Sequence, residues 1–194
     1  MKNKKVLLLL IFAFGLLLGL ASALYNRLGS EFKPEQLAVA QTQPAEENGT
    51  KPQKVQVPDF TVYDLEGNAV KLSDFFGKPI VLNFWASWCG PCKREMSDFN
   101  EKYQALGEDV HFLMVNMTDG RRETVETASE FIKSQGYTFP VFYDTAAEAA
   151  SIYGVYSLPT TYFIDADGHG VTWTQQAIDG ETLQRAIDMI YQAP

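Results

Sequence analysis

Ile80–Trp85 reads IVLNFW, a nearly continuous apolar run, and it leads directly into both cysteines of the chain, WASWCGPC at residues 85–92. A strand that is apolar at almost every position has to be covered on both faces. The chain must therefore supply layers on either side of a sheet. Pro91 is tolerated in a first helical turn, where its missing N–H costs nothing. Beyond it Cys92, Met96, Phe99, Tyr103 and Leu106 recur at spacings of four, three, four and three. That is one buried face of a helix. The cysteine pair thus belongs where a buried strand ends and a helix begins.

The remaining segments extend this alternation. PDFTVYDLEGNAVKLSDF (58–75) predicts two short extended segments around a Glu-Gly-Asn turn. VHFLMVNM (110–117) predicts a second buried strand. RRETVETASEFIKSQG predicts a helix with Val125, Ala128 and Ile132 inward and Gly136 closing it. FPVFYD (139–144) predicts a third central strand, TAAEAASIYGV a short helix, and TTYFID (160–165) with VTWTQQ a hairpin across the ADGHG turn. A last helix is expected over about 181–191, with Leu183, Ile187 and Ile190 inward. Together these predict a mixed α/β sandwich with its sheet in the middle. No internal repeat and no phosphate-cradling glycine loop occurs.

The N-terminus is a separate problem. MKNKK is followed by an uncharged apolar span, residues 6–24. Ala21-Ser22-Ala23 would suit a signal-peptide cleavage site, whereas the full span to Tyr25 suffices for an uncleaved membrane anchor. The anchor is the preferred reading. In both, Lys2, Lys4 and Lys5 stay inside and the rest of the chain lies outside the cytoplasm, where disulfides persist. Residues 26–56, rich in Gln, Glu, Pro and Lys, read as a flexible linker. Asn48-Gly49-Thr50 fits a glycosylation sequon and equally a plain Asn-Gly turn, which is preferred. The domain is then 57–194. It carries 9 Lys and Arg against 20 Asp and Glu, net −11, which argues against a nucleic-acid partner.

Two cysteines two residues apart admit three uses. A closed zinc site needs four ligands, and His111 and His169 stand at no ligand spacing from Cys92. No metal is expected. A structural staple closing so short a loop would restrain almost nothing in the unfolded chain. Redox exchange fits the position. The free N–H groups and dipole of a helix N-terminus favour a thiolate at Cys89, making it nucleophile and leaving group, while Cys92 lies one turn in on the buried face. Gly90 lets a partner's backbone approach, and Trp85 and Trp88 give the site apolar flanks, although core packing explains Trp85 equally well.

FWASWCGPCK resembles the active-site signature of the thioredoxin superfamily. The stretch PDFTVYDLEGNAVKLSDFFGKPIVLNFWASWC and the later YGVYSLPTTYFIDADG resemble, more closely, the TlpA/ResA group of membrane-tethered thiol–disulfide oxidoreductases. The resemblance covers about 57–191. It implies a thioredoxin-like three-layer sandwich with a central mixed sheet, an N-terminal β-hairpin and a helix-plus-strand insertion at about 120–143. It implies a cis Leu158–Pro159 bond facing the cysteines, with substrate held by Trp88, Gly90, Pro91, Leu158, Pro159 and Thr160. Cytoplasmic thioredoxins carry a buried aspartate where this chain has Asn83, which cannot titrate, and the resemblance offers Glu95 as the replacement proton acceptor for Cys92. A carboxylate in the first helical turn is also ordinary surface chemistry.

The resemblance implies no cofactor, a monomer, oxidised extracytoplasmic proteins as substrates and a membrane thiol-electron carrier as reductant. Cytochrome c maturation is a common task in that group. Three rivals stay open. The same chemistry could run backwards as a thiol oxidase, and a peroxiredoxin-like peroxidase shares the fold, although Ala86 stands where such an enzyme wants Thr. A copper or haem chaperone would lack a third soft ligand.

Overall fold

A computed structural model describes residues 38–39 and 55–192. The apolar span 6–24 and most of the expected linker lie outside the described residues. One eight-stranded sheet organises the domain. Its strands are β1 (Ala38–Val39), β2 (Thr61–Tyr63), β3 (Ala69–Lys71), β4 (Ile80–Trp85), β5 (His111–Asn116), β6 (Val141–Tyr143), β7 (Thr160–Ile164) and β8 (Gly170–Thr174), in spatial order β1-β8-β7-β4-β5-β6-β2-β3. Among the described residues the helices are α1 (Gly90–Leu106), α2 (Val125–Gln135), α3 (Glu148–Ile152) and α4 (Gly180–Ile190). β4, β5 and β6 run parallel, and β4–β7, β7–β8, β2–β3 and β2–β6 are antiparallel. The sheet is therefore mixed.

β4 is central, and all six of its residues are buried. Its alternation sorts them between two cores. Val81 and Trp85 join Met96, Phe99, Phe112, Leu183 and Ile187 on the face covered by α1, α2 and α4. Ile80, Leu82 and Phe84 join Phe60, Leu72, Leu113 and Phe142 on the other face, covered by α3 and the 3₁₀ turn Leu72–Phe75. The helical stripe on α1 is realised, with Cys92, Met96 and Phe99 fully buried. Truncating Phe99 to Ala would cost about 3–5 kcal/mol at such a site.

The helix boundaries follow local chemistry. Thr124 caps α2 by accepting the Thr127 N–H at 3.2 Å, and Gly136 closes it at φ 70°, a left-handed conformation glycine adopts freely. Asp179 caps α4 by accepting the Thr182 N–H at 2.8 Å. The sequence RRET, expected inside a helix, is instead a loop up to the N-cap Thr124. Asp119 accepts the N–H groups of Arg121, Arg122 and Glu123 there, which commits those donors to a turn.

The expected linker is not wholly detached. Ala38 and Val39 pair with Trp173 and Thr172 on β8. Gln56 bridges His169, and the N–H of Val57 donates to the Gly168 carbonyl at 2.9 Å. Without these pairings β8 would present an open edge. Among the described residues no helix is long and apolar enough to cross a membrane.

Candidate active site

The site forms where β4 gives way to α1. Cys89 is the N-cap of α1, and its Sγ accepts the N–H of Cys92 at 3.2 Å. Sulfur here takes the place of the usual Ser, Thr or Asp oxygen, at the positive end of the helix dipole. Cys89 and Cys92 are joined as a disulfide, with Cα atoms 5.3 Å apart. Cys89 lines a cleft of about 530 Å³, and Cys92 lies beneath it, fully buried.

Glu95 follows one turn after Cys92 on the same helix face, only 2% exposed. Its Oε1 accepts the Asn83 side-chain amide at 3.0 Å and its Oε2 accepts the Ile178 N–H at 3.0 Å. Burial pushes its carboxyl up to about 8, against the two hydrogen bonds, which favour the ionised form. Asn83 lies opposite Thr161 in the β4–β7 register, and the same amide nitrogen donates to the Thr161 hydroxyl at 2.9 Å. The Asn83 Oδ1 is buried without a partner. A half-turn of this amide would let Oδ1 accept from a protonated Glu95 and from the Thr161 O–H. The flip leaves the amide N–H groups where Oδ1 now lies, so either orientation leaves one end of Asn83 unpartnered.

Sequence reasoning missed a second buried carboxylate. Glu123 accepts the Ser87 N–H at 2.7 Å, the Ser87 hydroxyl at 2.7 Å and the Asn116 amide at 2.6 Å. It is fully buried and ties the loop after β5 to the loop that carries the cysteines. The neighbouring Asp119 carboxyl is held below the usual carboxylate range by the Glu123 and Arg121 N–H groups. Arg122 lays its guanidinium 3.7 Å over the Trp88 ring. No motif announces these contacts.

The cleft is lined by Trp88, Cys89, Gly90 and Pro91 on one side and by Val155, Tyr156, Ser157 and Leu158 on the other, with Met117, Asp119 and Arg122 at its end. Trp88 is 41% exposed and Tyr156 93%. Trp85, in contrast, is fully buried against Phe131, so packing is its role. The Leu158–Pro159 bond is cis, and Leu158 lines the cleft. Thr160 is a correction. It is fully buried, its hydroxyl donates to the Ser157 carbonyl at 2.8 Å, and it does not line the cleft. Neither histidine approaches the cysteines in a ligand set. His111 packs edge-on to Phe75, and His169 lies 3.2 Å from Asp165 in the hairpin turn.

The AhpC/TSA family profile matches residues 54–171. The thiol–disulfide oxidoreductase ResA of Bacillus thuringiensis is 37% identical over 146 residues, 72% of this chain and 79% of that protein. The chain belongs to the ResA-like thiol–disulfide oxidoreductases of the AhpC/TSA family. Two solved structures agree. A DsbE-type thiol:disulfide interchange protein of Chlorobium tepidum superposes with a TM-score of 0.62 at 28% identity, over 71% of this chain and 96% of that one. StoA of Bacillus subtilis gives 0.59 at 26% identity, over 67% and 96%. In this ResA-like chain the hairpin β2–β3 and the inserted α2 and β6 are thus parts of a thioredoxin-like fold.

Proposed function

We propose that this protein reduces disulfides in other proteins outside the cytoplasm, with Cys89 as nucleophile and Cys92 as resolving thiol. The observation that carries this reading is the asymmetry of the pair. Cys89, 4% exposed, lines a cleft at a helix N-terminus, while Cys92 is fully buried one turn before the buried Glu95, whose carboxyl is pushed up to about 8.

The Cys89 thiolate attacks one sulfur of the substrate disulfide. That S–S bond breaks, a mixed disulfide forms, and the leaving thiolate takes a proton from solvent. The half-buried Leu158, two residues before β7, lines the cleft and supports the substrate backbone there. Cys92 then passes its proton to ionised Glu95 and attacks the Cys89 sulfur. The substrate leaves as a dithiol, two electrons have moved to it, and Cys89–Cys92 is a disulfide. A buried thiolate at Cys92 is costly, so a proton partner that is also buried lowers the barrier in both directions.

Re-reduction outside the cytoplasm calls for a membrane thiol-electron carrier. The apolar span 6–24 supports a single membrane anchor with the domain outside. An apocytochrome c with oxidised haem-site cysteines is one substrate of the required kind. Two measurements test the reading. Cys89→Ser must abolish reduction of a model protein disulfide. The Cys89–Cys92 couple, equilibrated with glutathione or dithiothreitol buffers, should titrate near the roughly −270 mV of thioredoxin, and a value near about −120 mV would make it a disulfide donor instead.

A further inference from the structure

We propose that Arg94 and Arg122 make this cleft selective for disulfides whose cysteines are flanked by acidic residues. The inference deepens the reductase reading above and rests on it. The domain from Val57 onward is strongly acidic, with 9 basic against 20 acidic side chains. Four of those nine bases fall in two dipeptides, Lys93-Arg94 and Arg121-Arg122. The first dipeptide directly follows Cys92. The second reaches the cysteine loop through Arg122 and Trp88.

The geometry is specific to the neighbours of Cys89. A Cβ built on Gly90, the residue after it, would lie 3.9 Å from Arg94 Nη1. The Arg122 guanidinium lies 3.7 Å above the ring of Trp88, the residue before it. A cation therefore neighbours each residue next to Cys89 in the chain, Arg122 within the cleft lining and Arg94 outside it. Among the described residues neither guanidinium is paired with a carboxylate. Of the acids nearby, Asp119 accepts three backbone N–H groups, Glu123 holds Ser87 and Asn116, and Glu95 holds Asn83 and Ile178, while Asp98 lies one turn after Arg94 without an ion pair to it. A guanidinium held over an indole keeps its edge donors free for bidentate contact with an incoming carboxylate.

Trp88 and Gly90 line the cleft on either side of Cys89 in the chain, so residues flanking an attacked disulfide pass close to both. Acidic flanks meet the two guanidiniums there, and basic flanks are repelled. The charge of the domain away from the cleft is screened beyond about 8 Å at physiological ionic strength, and Asp119, the acid that lines the cleft, stands at the Arg122 end. Each exposed contact carries at most roughly a fivefold effect, so the expected preference is about fivefold to tenfold.

The test uses three synthetic peptides of one length, each with a single internal disulfide and with Asp, Ser or Lys on both sides of the attacked cysteine. The full chain is pre-reduced, mixed with each peptide in 0.15 M salt, and its oxidation is followed by tryptophan fluorescence. The Asp peptide should react fastest and the Lys peptide slowest. In Arg94→Gln/Arg122→Gln the Asp-to-Ser ratio should collapse toward the value the same two peptides show with a small uncharged thiol. Reading each variant as a ratio removes any general loss of folding or reactivity. Equal normalised rates for the three peptides would overturn the selectivity and leave the reductase reading intact. A ratio unchanged in the double variant would overturn the assignment to these arginines. Failure to react with any peptide, the Ser peptide included, would overturn the reductase reading itself.

Discussion

Replacing Glu95 by Gln removes one titrating proton from the interior and changes little else in shape. The carboxyl titrates at about 8 in the folded protein against an ordinary 4.5. Below pH 4.5 the folded and unfolded chains both hold this proton, and Glu95 costs nothing by titration. Between 4.5 and 8 the unfolded chain releases it while the folded chain keeps it, so stability falls as pH rises, by about 1.4 kcal/mol per unit. The loss is complete just above pH 8, at about 4–5 kcal/mol. The amide of Glu95→Gln undergoes no such change. It can also be satisfied: with the Asn83 amide turned over, the currently unpartnered Oδ1 accepts from the introduced amide, whose own oxygen still accepts from Ile178. Urea unfolding of the oxidised protein should therefore show the variant gaining about 4 kcal/mol on the wild type between pH 4.5 and 8. Other titrating groups cancel in that difference. A difference curve that stays flat would refute the reasoning.

The same variant should lose activity where it gains stability. With a carboxyl titrating near 8, about one molecule in ten carries ionised Glu95 at pH 7, and the resolving step of the wild type should quicken up to about pH 8. Glu95→Gln should lower the rate about a hundredfold and flatten that limb of the pH profile. A purely structural carboxyl would not separate the two readouts in opposite directions. Two shorter predictions concern neighbouring groups. Cys92→Ser should accumulate a mixed disulfide between Cys89 and its substrate, seen as a covalent adduct on non-reducing gels, because the thiol that releases it is gone. Glu123→Ala strands the Ser87 N–H, the Ser87 hydroxyl and the Asn116 amide in the interior and should cost about 3 kcal/mol or more in chemical denaturation.

The parts of the site that the sequence reveals are those with a local period or a local motif. The run at 80–85 names a strand buried on both faces because each of its residues has a core to enter. The spacing from Cys92 to Leu106 names a helix face because the contacts it makes repeat with the helix itself. Glu95 is readable as a candidate from its place one turn after Cys92, but its burial is not. That depends on Asn83 of β4 and on Ile178, in a loop 83 residues further along the chain. Thr160 errs in the other direction, since its neighbour Leu158 does line the cleft while its own side chain turns inward.

Glu123 could not be found from sequence because its role exists only through topology. In RRET it looks like an ordinary acid ahead of a helix N-cap, where negative charge is favoured on local grounds. What changes its meaning is the parallel pairing of β4 with β5, which sets Trp85 beside Asn116 at the same edge of the sheet. Two parallel neighbours end on one side, so the loops that follow them have to meet there. One of those loops carries Ser87, Trp88 and Cys89, and the other carries Asp119, Arg122 and Glu123. A carboxylate, a guanidinium and a dithiol separated by some 30 residues of sequence thus become contacts because of strand direction. The crevice at the carboxyl ends of such strands is where open α/β sheets place their ligands. The same geometry that buries Glu123 under Ser87 lays Arg122 over Trp88, so whatever the second loop contributes to substrate choice is fixed by the pairing of β4 and β5 and not by the cysteine motif.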